Sequence, residues 1–239
     1  MDDCSTDDTD QELKQFGDSI RVERSSRQRG QNVTRNWLME LSRGEWLVYL
    51  DADDELDHQS VEAKMQFIDE ADAIYGSTNI ATYDGDREIE SHKIVAKDYA
   101  DTCAAAFAWH FPNTSAFCFK RTAVLDAGGW NERVKNCTDY DLYFRFLLRG
   151  YKFKAAPDAW STYRQWSSTQ AVNEDPLRKM STRLQLMFDA AAELKAAGEL
   201  TLNRQRAFFD ASLGVLRTIY PLDPGYAVQQ HERLLSECP

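Results

Sequence analysis

Residues Trp46–Asp54 read WLVYLDADD, and the fold turns on how that stretch is understood. Trp46 to Leu50 are apolar without interruption, and Arg43-Gly44 stand just before them. A short run this rich in aromatic and branched residues predicts a strand, buried on both faces of a parallel sheet. Asp51, Asp53 and Asp54 then fall where the strand ends, the edge at which open parallel sheets hold ligands. Bare carboxylates so close repel one another. A hard cation such as Mg²⁺ or Mn²⁺ would relieve this, because such ions take one or two carboxylates together with substrate phosphates. Two other readings stay open here. An acid-rich strand end can be a solvated loop. Asp51, Asp53, Glu55, Asp57 and Glu62 also have the spacing of an EF-hand calcium loop, although the required turn glycine is Leu56 and the preceding element reads as a strand.

With 239 residues the chain can bury a substantial core, as one large domain or as a domain with an appendage. Its 28 basic and 39 acidic residues give a net charge of −11, which argues against a general nucleic-acid binder and against electrostatic attachment to anionic lipid. No apolar run reaches the length of a membrane span, and no secretory signal opens the sequence. Cys4, Cys103, Cys118, Cys137 and Cys238 are scattered without CxxC spacing, so neither a disulfide framework nor a zinc site is expected. A cytoplasmic location is the expectation.

The opening MDDCSTDDT predicts a turn into a helix over Gln11–Phe16, capped by Ser5 or Thr6, with a short strand at Ile20–Val22. Val33–Leu41 reads as a helix carrying Arg35 and Asn36 near its start. Asp57–Glu70 reads as another, with Val61, Met65 and Ile68 on its buried face. Two strands, Ala73–Gly76 and Ile80–Tyr83, precede a hairpin turn at Tyr83–Asp86. An alanine-rich helix over Tyr99–Trp109, a strand at Thr114–Phe119 and a helix stopped by Gly128-Gly129 follow. Asp139 opens a helix that runs to Leu148, where an aspartate commonly caps free N–H groups. A strand starts at Tyr151–Phe153. Beyond Trp160–Ser168 the pattern turns helical, over Pro176–Ala197, Leu202–Ile219 and Tyr226–Leu235.

Three blocks occur in order: DDCSTDDT, then RQRGQNVTRNWLMELSRGEWLVYLDADDEL, then GGWNERVKNCTDYDLYFRFLLRGYKF. Together they resemble the family 2 glycosyltransferases, from Asp2 to Gln165, with the helical tail outside the match. The resemblance implies an α/β fold of the GT-A type, Rossmann-like, with a mostly parallel sheet flanked by helices and a C-terminal helical appendage. It divides the chain into residues 1–170, the transferase domain, and 171–239, the helical extension. It also implies transfer of a sugar from a nucleotide-diphosphate donor, a UDP-sugar first among candidates, to a glycan or other hydroxyl acceptor with inversion. Asp51 and Asp53 match the family's DxD metal motif, holding Mn²⁺ or Mg²⁺, and Asp54 is a neighbouring contact. Asp2 and Asp3 match the carboxylates at the nucleotide base, and Arg35 an arginine near the nucleotide. Asp139 matches the general base, Trp130 an aromatic of the acceptor pocket, and Arg164 a segment that closes over the diphosphate. Cell-surface polysaccharide synthesis and a homodimer through the helical tail are further expectations.

The departures from the family pattern are specific. Cys4 replaces a glycine, and Thr138-Asp139 replaces a Glu-Asp pair. The histidine of the C-terminal segment is absent, with Gln165-Trp166 in its region. QWSST is not the QxxRW box of processive synthases. The family's first strand and helix would precede Asp2, so the chain reads as N-terminally truncated. Met1 stands where a strand valine is usual, as if at an internal start, which would leave an open sheet edge and half a nucleotide pocket. Two rival functions stay open: a non-catalytic relative that binds nucleotide or glycan, and a metal-dependent nucleotidyltransferase.

Overall fold

Asp2 and Arg24 form a single parallel bridge at the start of the fold, and the chain then builds outward from it. The structure, a computed structural model, describes residues 1–166 and 175–237. The elements in order are α1 (Thr9–Lys14), α2 (Gln31–Leu41), β1 (Trp46–Leu47), β2 (Glu55–Leu56), α3 (Ser60–Met65), β3 (Ala73–Asp84) and β4 (Arg87–Ile94). There follow α4 (Thr102–Phe107), β5 (Phe117–Lys120), α5 (Arg121–Asp126), α6 (Thr138–Leu148), β6 (Phe153–Trp166), α7 (Pro176–Ala196), α8 (Leu202–Ile219) and α9 (Pro224–Glu237). The sheet runs β1-β5-β3-β6-β2, with β4 paired to β3. The expected α/β architecture with a helical C-terminal region is present.

Strand direction differs from expectation in detail. Among the described strands, β3 and β6 pair in parallel and the other strand pairs are antiparallel. A tight turn at Gly85 (φ +59°) returns β3 as β4, and a two-residue return of this kind can only give antiparallel neighbours. The predicted pair Ala73–Gly76 and Ile80–Tyr83 is one continuous strand, kinked against β6 between Gly76 and Ser77. The WLVYL stretch is not buried on both faces. Leu47 and Tyr49 point inward while Leu50 is 49% exposed, so it alternates as a strand with one covered side. Residues Glu55-Leu56 pair with β6, which removes the EF-hand loop as a reading.

Other local corrections follow from capping and burial. Helix α1 starts after Asp8 without a side-chain cap, so neither Ser5 nor Thr6 caps it. Ile20 and Val22 are exposed and form no strand. In α3 the inward residues are Ser60 and Lys64, and Val61 faces solvent. The helical region shares one core with the sheet domain: Phe188 of α7 packs edge-on to Phe208 of α8, and Phe208 meets Phe107 of α4. The expected boundary between residues 170 and 171, and the Ser-Ser-Thr end of the QWSST segment, lie outside the described residues.

Candidate active site

The acids of the WLVYLDADD stretch are held by helix α2, which precedes β1. Arg35 is buried on α2, and its Nη2 donates to both carboxylate oxygens of Asp51 at 2.6 and 2.9 Å. Its guanidinium lies 4.5 Å above the Trp130 ring, and Nη1 reaches the Thr138 hydroxyl at 3.4 Å. Gln31, one turn earlier, donates to the same hydroxyl at 3.3 Å. Thus α2 joins the acidic loop to the first turn of α6. Asp139 is the next residue, and the charges of Arg35 and Asp51 both act on it.

Asp139 is half-buried and faces a groove of about 660 Å³. Loss of water around it pushes its pKa upward; the Tyr140 N–H, 2.9 Å from Oδ1, and the Arg35 charge pull the other way. A carboxylate raised in this way is a stronger base. Its helix begins after Cys137, whose φ of +55° is a left-handed conformation that a non-glycine residue adopts at a cost.

The segment between α5 and α6 is clamped from two sides. From α2, Asn36 Nδ2 donates to the Trp130 carbonyl and Asn36 Oδ1 accepts from the Trp130 N–H, at 2.9 and 2.7 Å. Asn32 Nδ2 donates to the carbonyls of Asn131 and Val134. From α6, Arg145 grips Asp141 and donates to the carbonyls of Ala127 and Gly129. Gly129 has φ +68°, and a Cβ there would come within 2.6 Å of Asn36 Oδ1. Glycine is required at that point. Asn32, Asp141 and Arg145 were given no role by sequence reasoning, and Asn36 and Thr138 were noted there without one. Their signal lay in the RN pair and the DYDLYFR spacing.

Several expected site residues are engaged by the chain itself. Asp2 is buried, accepts the Ser5 N–H at 2.8 Å and pairs with Arg24 at 3.2 Å. The Ser5 hydroxyl is the leading cause that holds its pKa below the usual aspartate value. Asp3 accepts the N–H groups of Arg29 and Gly30 at 2.8–3.0 Å, fixing the entry to α2. Cys4 has φ +71°, so it keeps the backbone conformation that a glycine supplies at the same place in the family pattern. Asp54 is 6% exposed, accepts from Asn113 at 2.8 Å and from the Arg164 N–H at 3.2 Å, and is raised in pKa chiefly by burial. It latches β6 to the acidic loop. Arg164 is brought beside that loop too, donating to the Asp53 carbonyl at 2.5 Å and pairing with Glu55 at 3.0 Å.

Trp130, expected at an acceptor pocket, has its ring turned inward beneath Arg35. It is 1% exposed, packs edge-on to Tyr49 at 5.2 Å, and supports Arg35 from beneath. The physical reason is the double clamp, which draws its backbone against α2 and turns the ring inward. Asp51 and Asp53 supply the oxygen donors that a hard divalent ion uses with phosphates. No group of three or more His, Cys, Asp or Glu side chains is assembled among the described residues.

A family model described as glycosyl transferase family 2 matches residues 1–162. Among solved structures, residues 1–349 of S. aureus TarS in complex with UDP-GlcNAc match at 14% identity and a TM-score of 0.61, over 99% of this chain and 68% of that one. A Pyrobaculum calidifontis mannosyltransferase, PcManGT, in complex with GDP-Man and Mn²⁺ matches at 16% identity and a TM-score of 0.55, over 98% and 69%. The chain spans 42% of the longer S. aureus TarS structure, at 15% identity and a TM-score of 0.53. At these identities the likeness is one of fold. No curated protein sequence matches the chain significantly.

Proposed function

The chain belongs to glycosyl transferase family 2, enzymes that transfer sugar from nucleotide-sugar donors, and from that premise we propose a metal-dependent transfer to an acceptor hydroxyl with inversion at the anomeric carbon. The observation that carries this reading is the Asp51–Arg35–Thr138 linkage, which fixes the acidic loop relative to the carboxylate of Asp139.

Asp51 and Asp53 would hold a divalent ion, which would offset negative charge on the departing diphosphate oxygen. The relative crystallised with Mn²⁺ and GDP-Man supports a divalent ion here, and that with UDP-GlcNAc supports a UDP-sugar as the first donor to try. Arg35 is the positioning residue for Asp51: its Nη2 donates to both carboxylate oxygens and holds the side chain in place. Arg164, already anchored on the acidic loop, would reach the diphosphate side. Asp3 retains lone-pair capacity for an N–H of the nucleotide base beyond the backbone groups it holds.

Asp139 would take the proton from the acceptor hydroxyl as that oxygen attacks the anomeric carbon opposite the leaving group. One displacement inverts the centre. General-base assistance of this kind is worth about 10²–10⁴ in rate. No helix is long and apolar enough to cross a membrane among the described residues, and a pairing of two copies through the helical region is a proposal to be read from oligomeric state.

The test is titration of UDP, then GDP and dTDP, with and without Mn²⁺, followed by assay of nucleoside-diphosphate release from UDP-GlcNAc and GDP-mannose. Metal-dependent binding that disappears in Asp51→Ala/Asp53→Ala is expected. Pyrophosphate release instead would indicate nucleotidyl transfer. Absence of binding with all three nucleotides would sink the donor site.

A further inference from the structure

The groove in front of Asp139 is charged in a way the rest of the chain is not. In a protein of net charge −11, Asp139 is the only carboxylate among the described residues that line this groove, while Lys97, His110 and Lys179 also line it. Asp98, beside Lys97 in sequence, is turned elsewhere: its carboxylate is taken by Lys154 at 3.0 Å and by the Ala155 N–H at 2.9 Å. His110 stacks on Tyr99 at 5.5 Å, and the Lys97 ammonium lies 5.5 Å from the same ring, so two of the basic groups are gathered around one aromatic. Lys179 comes from α7, whose backbone at that residue meets the Cys137 thiol before α6. The helical region therefore builds one wall of the groove.

A further basic side chain lies behind this wall. The Arg183 guanidinium, also on α7, lies 4.1 Å from the Trp109 ring, which in turn stacks on Tyr140 at 3.6 Å. Its Nε has no hydrogen-bond partner among the described residues. The groove is also lined by Asn113, whose amide donates to Asp54 and whose Oδ1 is buried without a partner among the described residues. An acceptor oxygen there suits a hydroxyl donor. The groove thus brings together the Asp139 carboxylate, Asn113, which bonds to Asp54 of the acidic loop, and the basic side chains Lys97, His110 and Lys179. Neither Asp51 nor Asp53 lines it.

We propose that this groove seats an anionic acceptor, a sugar or polyol bearing a phosphate or carboxylate, with its anion among Lys97, His110 and Lys179 and a hydroxyl presented to Asp139. The assignment rests on Asp139 being the base of the transfer. Its volume, about 660 Å³, is within the range that holds a small molecule of more than one ring. Electrostatic complementarity of this kind selects the acceptor and orients it.

The test uses glucose, glucose 6-phosphate, glucuronate and inorganic phosphate as probes, with binding to the full chain measured by ligand-observed NMR. Two controls are UDP with Mn²⁺ on the same samples, and the double variant Lys97→Gln/Lys179→Gln, in which both replaced side chains are exposed. Both anionic sugars are expected to bind more tightly than glucose, and to weaken by about tenfold in the double variant, the order expected for two partly screened charge contacts. Preference for the phosphorylated sugar alone or for glucuronate alone identifies which anion the groove takes. Glucose binding as well as the charged sugars would overturn the proposal, and so would inorganic phosphate binding as well as glucose 6-phosphate. A matching tenfold loss of UDP affinity in the double variant would assign the lysines to the donor and overturn it too. Failure of UDP to bind the unaltered chain strikes the donor site instead, so the two readings fail separately.

Discussion

Lys64→Met should make this protein more stable, and the gain should fade at high pH. Lys64 is fully buried on α3, where its ammonium donates to the Ser60 hydroxyl at 3.0 Å. No carboxylate within ion-pair distance of it is found among the described residues. Burial lowers its pKa from the ordinary 10.5 to about 8. Below pH 8 both folded and unfolded chains carry the proton, so the full cost of the buried charge is present. Between about 8 and 10.5 the folded state sheds its proton first, and stability rises with pH. At pH 7 the cost comes to about 3 kcal/mol, falling to about 1.5 kcal/mol at pH 9.5. Methionine fills a similar volume, and leaving the Ser60 hydroxyl without its donor returns about 1 kcal/mol. The expected net gain is about 2 kcal/mol at pH 7, shrinking to nearly nothing by pH 9.5. Urea unfolding of both proteins at the two pH values measures it. A variant less stable than the parent at pH 7, or a difference that does not change with pH, would refute the reasoning.

Three further expectations concern the site and its scaffold. Asp139→Asn should lower sugar transfer by about 10²–10⁴ while leaving UDP binding in place. In the parent, activity should fall as pH drops through an Asp139 pKa lying above the usual aspartate value, because only the ionised form accepts the proton; a pH–rate profile checks this. Gly129→Ala should destabilise by about 2 kcal/mol or more, since it combines a left-handed backbone with a collision against Asn36; thermal unfolding reads it, and an unchanged midpoint would count against the clamp. Cys4→Gly should stabilise by about 1 kcal/mol by relieving the positive φ, with chemical denaturation as the measure.

The sequence by itself carried the order of the elements, the acids at a strand end, the glycine stop before the second motif and the helical character of the C-terminal third. These are local properties. They reside in runs, spacings and residue types that the chain displays without reference to distant partners. The Asp139 helix and the Asp51–Asp53 pair were legible for that reason. Tertiary structure decided which of those residues are open to a ligand. Arg35 and Thr138 meet across 103 positions of sequence, and no periodicity encodes that meeting. Trp130 looks like a surface aromatic until Asn36 and Arg145 are seen to draw its segment inward. Lys64 has the composition of a solvated helix face, yet the packing of α3 against β6 turns it into the core. The groove was invisible for the same reason: Lys97, His110 and Lys179 come from three separate segments. Their gathering is a property of the folded surface, because only packing fixes which side chains lose water together and which stand around one opening.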